Sequence, residues 1–205
     1  LKKEKLVKKY DNHVNMYEKH RCNPTLAQWR KQLIENNVQG KVLEVGVGVG
    51  ANFPHYDQEN VHITAVDFSS EMLKSAKQTA EHYQLNANFI QEDVEKLHFE
   101  RDSFECIVST LSLCSYPNPI DVLNHFNDWC KEGGTILLME HGLSSNSFLS
   151  VTQKVIDPVF RRISGCHCDR DILKLIEMSN LQINKVEGYW LDIISLVWAK
   201  PNKVN

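Results

Sequence analysis

Val42-Leu43-Glu44-Val45-Gly46-Val47-Gly48-Val49-Gly50 is the stretch on which the fold turns. An apolar run gives way to three glycines at alternate positions, and the residues after them, 50–56, read as a helix. Glycine at such positions permits positive φ and lets a ligand approach the backbone without meeting a Cβ. A helix beginning just beyond would offer unpaired N–H groups. Gly46, Gly48 and Ala51 also satisfy the G-x-G-x-x-G/A pattern of dinucleotide-binding folds, so the loop alone does not select its ligand.

Two further stretches continue the theme. Ile63-Thr64-Ala65-Val66-Asp67 is an apolar run ending in an acid about 20 residues after the first glycine, where a carboxylate accepts hydrogen bonds from both ribose hydroxyls of a nucleoside. Phe89-Ile90-Gln91-Glu92-Asp93-Val94 ends in another acid beside an apolar residue. In a parallel sheet such strand ends open into one crevice at the topological switch point. An acid with a valine suits an adenine, offering an acceptor for the amine and an apolar wall for the ring.

Outward from these segments, short apolar runs at 41–46, 61–66, 87–91, 104–109, 134–140, 181–187 and 191–199 alternate with helical patterns at 50–56, 70–83, 119–131, 150–163 and 169–179. Strands alternating with helices imply right-handed crossovers and a mostly parallel sheet covered on both faces. The last two strands lie too close in sequence for a crossover helix and should pair as an antiparallel hairpin. Before residue 40 the pattern is helical. Leu6, Tyr10, Val14 and Tyr17 share one face, and Asn23-Pro24 opens a second helix.

The chain has 205 residues and a formal charge of -3, which gives no electrostatic footprint for nucleic acid. The average hides a basic head, five lysines against Glu4 in the first ten residues, on a more acidic body. Such a head is a solvated helix face or a surface for membranes or anions. Six cysteines without framework spacing suit free thiols in a reducing cytoplasm. No apolar run approaches the ~18 residues of a membrane span, and no signal peptide is recognisable. Leu1 in place of an initiator Met leaves room for upstream residues, an anchor among them.

Glu44-x-Gly46-x-Gly48-x-Gly50, Asp67 and Asp93 together resemble motifs I, post-I and II of the class I S-adenosylmethionine (SAM) dependent methyltransferases. The family's seven strands, ending in an antiparallel hairpin, match the alternation above over residues 10–200. Ser109-Thr110-Leu111-Ser112-Leu113-Cys114-Ser115, Met139-Glu140-His141-Gly142 and Asp157-Pro158 leading to Gly165-Cys166 are similar to the thiol S-methyltransferases of animal membranes. Tyr10-Asp11 with Tyr17-Glu18 looks like the opening helix of the ubiquinone/menaquinone C-methyltransferases, and bacterial phospholipid N-methyltransferases share the outline.

The resemblance implies an α/β, Rossmann-like fold: a seven-stranded, mostly parallel sheet with helices on both faces. It also implies one domain over 1–205, with a helical cap over 1–38 and the core over 39–205. The cofactor would be SAM and the product S-adenosylhomocysteine (SAH). Gly46, Gly48 and Gly50 would line the methionine and ribose portion, with Glu44 orienting the loop and the amino group, and Asn52 near the methionine moiety. Asp67 would hold the ribose, Phe68 or Met72 would pack on the adenine, and Asp93 and Val94 would read its edge. Thr110 and Leu111 would border the methyl group, and Tyr17 would close the site.

Methyl transfer from a sulfonium is an in-line displacement that gains mainly from proximity and alignment. A base matters only where the acceptor must lose a proton, and His141 is the best-placed candidate, ahead of Asp157 and Tyr116. Cys166-His167-Cys168 supplies too few ligands for a tetrahedral metal site, so no metal is expected. The acceptor implied is a small apolar or lipid-like molecule: a thiol, a quinone-type carbon or a phospholipid amine, in that order. Nucleic acid is not expected, because Ser109-Thr110-Leu111 stands where amino-group nucleic-acid methyltransferases carry Asn/Asp-Pro-Pro-aromatic. The rival readings are a nicotinamide-dependent oxidoreductase and a SAM-binding protein without turnover. Oligomeric state is not legible.

Overall fold

The computed structural model describes residues 3–203; Lys2, part of the basic head, lies outside them. Two helices, α1 (Lys3–Arg21) and α2 (Pro24–Ile34), precede the first strand, β1 (Gly40–Val45). Asn23 starts α2 by accepting the N–H of Leu26, with Pro24 in the first turn where its missing N–H is not needed. There follow β2 (Val61–Asp67), α3 (Ser70–His82), β3 (Ala87–Gln91), β4 (Phe104–Thr110), α4 (Pro119–Trp129) and β5 (Cys130–His141). The chain ends with α5 (Ser147–Ser164), α6 (Ile172–Glu177), β6 (Leu181–Tyr189) and β7 (Ile194–Pro201).

The seven strands form one sheet in the order β3-β2-β1-β4-β5-β7-β6. Strands β1 to β5 run parallel, while β7 lies antiparallel between β5 and β6, so the expected terminal hairpin is present. Alternate residues sort to the two faces. Val42, Val108, Leu137 and Leu196 face Leu33 and Ile34 of α2 and Leu73 and Ala76 of α3. Leu43, Ile107, Leu138 and Val197 face Val122 and Phe126 of α4 and Ile172 and Ile176 of α6. Both faces are covered, which is why the strands read as nearly continuous apolar runs.

Three expectations need correction. No α-helix spans 50–56: the loop ends in a single 3-10 turn, Phe53–His55. Gly50 has φ +75 and Pro54 lacks an N–H, so the segment cannot form a regular ladder. The fifth strand starts at Cys130 rather than 134, with an irregularity opposite Phe104 and Cys106. The seventh starts at Ile194, because Trp190, Leu191 and Asp192 all take positive φ in the preceding turn.

Helix α1 lies against α3 through side-chain hydrogen bonds, Ser69 Oγ donating to Asp11 and Ser75 Oγ to Glu18. It thereby crosses the strand ends where the glycine loop stands.

Candidate active site

The site begins where β1 runs out. Gly46 and Gly48 take φ +68 and +53, conformations that cost a residue with a Cβ on the order of 1–2 kcal/mol. The N–H groups of Gly46 and Val47 donate to the Val66 carbonyl at 2.9 and 3.1 Å, and that of Gly48 to Asp67 Oδ2 at 2.9 Å. A Cβ on Gly46 would stand 2.6 Å from that of Ser112, whereas one on Gly48 would meet nothing within 4 Å. The loop is closely backed at its first glycine and open at its second.

Glu44 sits beneath this loop, fully buried. Its Oε1 accepts Asn52 Nδ2 at 3.0 Å and its Oε2 accepts the Tyr56 hydroxyl at 2.7 Å. Asn52 Nδ2 also donates to Thr110 Oγ1 at 3.1 Å, tying the loop to the end of β4. Burial pushes the Glu44 carboxyl up to about 7 against these hydrogen bonds. Asp67 accepts the Ser69 N–H through its other oxygen at 2.9 Å, and burial raises it to about 6.

On the far side, Glu140 is a buried carboxylate that sequence reasoning missed. It accepts the N–H groups of Ser112 and Leu113 and the Ser109 hydroxyl, and burial pushes it up to about 7. It therefore pins the turn after β4, where Leu111 takes φ +54. The available signal was a lone acid at the end of the apolar run Ile136–Met139.

One cavity runs between these elements. Its wall brings together Tyr17, Gly46, Gly48, Asp67, Phe68, Met72, Val94, Thr110 and Leu111. It adds Tyr10, Arg21, Arg30 and Glu92, which were not anticipated. Tyr10 stacks on Tyr17 at 6.0 Å and meets Phe68 edge-on at 5.2 Å. Glu44, Gly50 and Asn52 back the loop without lining the cavity. Asp93 is also outside the wall. It caps the 3-10 turn Val94–Lys96 by accepting the Glu95 N–H, and Glu92 stands in the wall instead.

His141 is not in the wall either. It lies with Cys114 and Cys166, the ligand atoms of all three within 4.8 Å of one another, and the Tyr10 hydroxyl is 3.4 Å from Cys166 Sγ. Hydrogen bonding from Cys114, with help from His141 and Tyr10, holds Cys166 below the usual thiol range. The three residues of Cys166-His167-Cys168 point apart. His167 reaches Asp157 and Asp169, and Cys168 reaches the Gln153 carbonyl.

Comparison with known proteins accords with this geometry. A methyltransferase-domain family model matches residues 42–134. A phosphatidylethanolamine N-methyltransferase of Cereibacter sphaeroides is 30% identical over 146 residues, covering 70% of this chain and 71% of that protein. The chain belongs to the class I SAM-dependent methyltransferases. This methyltransferase is also 30% identical over 155 residues to the thiol S-methyltransferase TMT1B of Rattus norvegicus, covering 73% of this chain and 62% of that one. A solved SAM-dependent methyltransferase from Mesorhizobium loti superposes with a TM-score of 0.64 at 16% identity, over 84% of this chain and 97% of that one.

Family membership sets aside the nicotinamide reading and makes SAM the methyl donor. The residues of the site fit it. Arg30 is 6% exposed, yet its Nε and Nη1 have no hydrogen-bond partner, and the buried Oδ1 of Asn52 has none. Buried polar groups are rarely left so. Beside a glycine loop with open space at Gly48, the orphaned donors of Arg30 in the cavity wall complement an amino acid's carboxylate. Burial lowers Arg30 to about 10, which leaves it charged at neutral pH.

Proposed function

We propose that this methyltransferase acts on a small apolar or lipid-like acceptor, a thiol before a quinone-type carbon or a phospholipid amine. SAM supplies an electrophilic methyl group on a sulfonium. In this reading Arg30 takes its carboxylate and Asp67 its ribose, while Phe68, Met72 and Val94 enclose the adenine and Asn52 holds the loop beside the methionine moiety. Glu44 acts through Asn52 and Tyr56 as a positioning residue. Thr110 and Leu111 border the methyl group, and Tyr10 and Tyr17 shield it from water.

The observation that carries the acceptor class is the wall after β4. Thr110, Leu111, Ser112 and Tyr116 present neither carboxylate nor imidazole to the cavity, the imidazole in its wall is that of His20 near the end of α1, and the aromatic pair Tyr10 and Tyr17 stands in the same wall. His141, the expected base, lies behind Tyr10 and Cys166 rather than in the cavity. A thiol suits such a wall, since a few per cent is already thiolate near pH 7 and thiolate is strongly nucleophilic. The names of the relatives support both a thiol and a phospholipid amine.

The test is SAH formation with three acceptors: an alkyl thiol, a demethylated quinol and phosphatidylethanolamine vesicles. Fastest turnover is expected with the thiol. Turnover confined to the phospholipid amine would overturn the ranking, and turnover confined to a charged, water-soluble amine would overturn the acceptor class.

A further inference from the structure

Helix α5 is built inside out. Phe148, Val151, Val155, Val159 and Ile163 repeat at intervals of three and four along one face, and all are exposed, Phe148 by 79% and Val155 by 73%. The opposite face holds the helix to the body through polar groups. Gln153 Nε2 donates to the carbonyls of Gly142 and Cys168, and its Oε1 accepts the Ser144 N–H. Asp157, the only buried residue of the helix, accepts the Cys168 N–H at 2.8 Å and pairs with His167. An amphipathic helix on a water-soluble surface has the reverse arrangement, its apolar stripe turned inward.

The apolar strip continues past the start of the helix. Ser144 Oγ and the Ser145 N–H both donate to the Leu191 carbonyl, so the turn bearing Trp190 and Leu191, 57% and 58% exposed, adjoins it. Apart from the exposed Asp192 beside Leu191, the flanks are basic. Lys154, Arg161 and Arg162 are exposed on α5, whose only acid is the buried Asp157. Lys9 Nζ donates to the Arg162 carbonyl, which brings the exposed Lys5 and Lys8 of α1 alongside, with Glu4 the nearby acid on that helix.

We propose that α5, with Trp190 and Leu191, is a docking element that lays its apolar face in the surface of an anionic lipid bilayer. Apolar side chains flanked by lysine and arginine are what such an interface selects. Among the described residues no helix is long and apolar enough to cross a membrane, so the contact is interfacial. A second copy of the chain is a poorer occupant, because a two-fold contact would bring the basic flanks of one copy against basic flanks of the other. The helix ends at Gly165-Cys166 against Tyr10, a residue of the cavity wall, so docking holds that wall at the lipid surface. The inference goes beyond the acceptor assignment and does not need it.

Co-sedimentation with vesicles of phosphatidylcholine, alone or with about a third phosphatidylglycerol, tests this directly. Binding is expected to the anionic vesicles and should fall as salt rises. The double variant Val155→Asp/Val159→Asp should bind about tenfold more weakly or worse, with thermal unfolding and SAH affinity unchanged. If that variant fails to fold, the unaltered protein still decides. Trp29 and Trp129 are buried and Trp198 is half-buried beneath Lys185, so emission from the exposed Trp190 should shift to the blue on anionic vesicles and be quenched by brominated lipid. Absence of sedimentation and of quenching overturns the proposal. So does unchanged vesicle binding by the folded double variant, or a dimer in ultracentrifugation that the variant abolishes without any vesicle binding.

Discussion

Asp67 Oδ2 accepts the N–H of Gly48 at 2.9 Å, joining the end of the second strand to the loop that ends the first. One carboxylate thus shapes the loop and faces the cavity. Asp67→Ala should weaken SAH binding by tenfold or more, since hydrogen bonds to charged groups contribute about 1.5–3 kcal/mol. Asp67→Asn keeps one acceptor and should fall between the two. Calorimetry with equal affinities for all three proteins would remove Asp67 from the binding site.

Gly46 and Gly48 should respond differently to alanine. At Gly46 the new Cβ meets Ser112 at 2.6 Å, so both thermal stability and SAH affinity should drop. At Gly48 the new Cβ enters open space, so stability should fall by only about 1–2 kcal/mol from the positive φ, while affinity drops sharply. Equal destabilisation of the two variants would mean that the space at Gly48 is not the one a ligand fills.

Arg30→Met removes a buried guanidinium whose Nε and Nη1 have no hydrogen-bond partner and whose charge is opposed by that of Glu44. Because burial holds Glu44 up to about 7, so that it is only partly ionised at neutral pH, losing the guanidinium is expected to cost the free enzyme little stability there. Its affinity for SAH should fall at least tenfold if the guanidinium takes the carboxylate. A fall in melting temperature with unchanged affinity would assign Arg30 to the fold instead.

Stability should decline from acid to neutral pH. Glu44 and Glu140 are raised by burial from 4.5 to about 7, so across that window the folded chain keeps protons that the unfolded chain has released. Each carboxyl then lowers stability as pH rises, by about 3 kcal/mol across the window. Glu140→Gln loses one acceptor for the Ser112 and Leu113 N–H groups and should be less stable than the parent at pH 5. Its deficit should shrink by pH 7.5, because glutamine does not ionise. Urea titrations at four pH values would show this, and a deficit independent of pH would contradict it.

Much of the site was legible because its signals are local. Gly46 and Gly48 announce positive φ wherever they stand, and Asp67 and Val94 follow apolar runs whose ends must share one edge of a parallel sheet. Asp93 itself lies outside the cavity wall. The backbone turns into a 3-10 helix there, Asp93 becomes its cap, and Glu92 enters the cavity wall. Arg30 gave no local sign of a role and Glu140 only that of a lone acid after an apolar run, since a charged residue in an amphipathic helix or at a strand end is ordinary until its burial is known.

What the sequence by itself determined was the order of strands and helices, the glycine loop and the family it resembles, because hydrophobic period and backbone permissiveness belong to neighbouring residues. Only the tertiary structure decided which polar groups are left without partners, that Tyr10 meets Cys166 across 156 residues, and which face of α5 looks outward. The spacing of Phe148, Val151, Val155, Val159 and Ile163 establishes that α5 has an apolar face. Its direction is set by Gln153 and Asp157 bonding to the backbone around Gly142 and Cys168, contacts that exist only once the chain has folded.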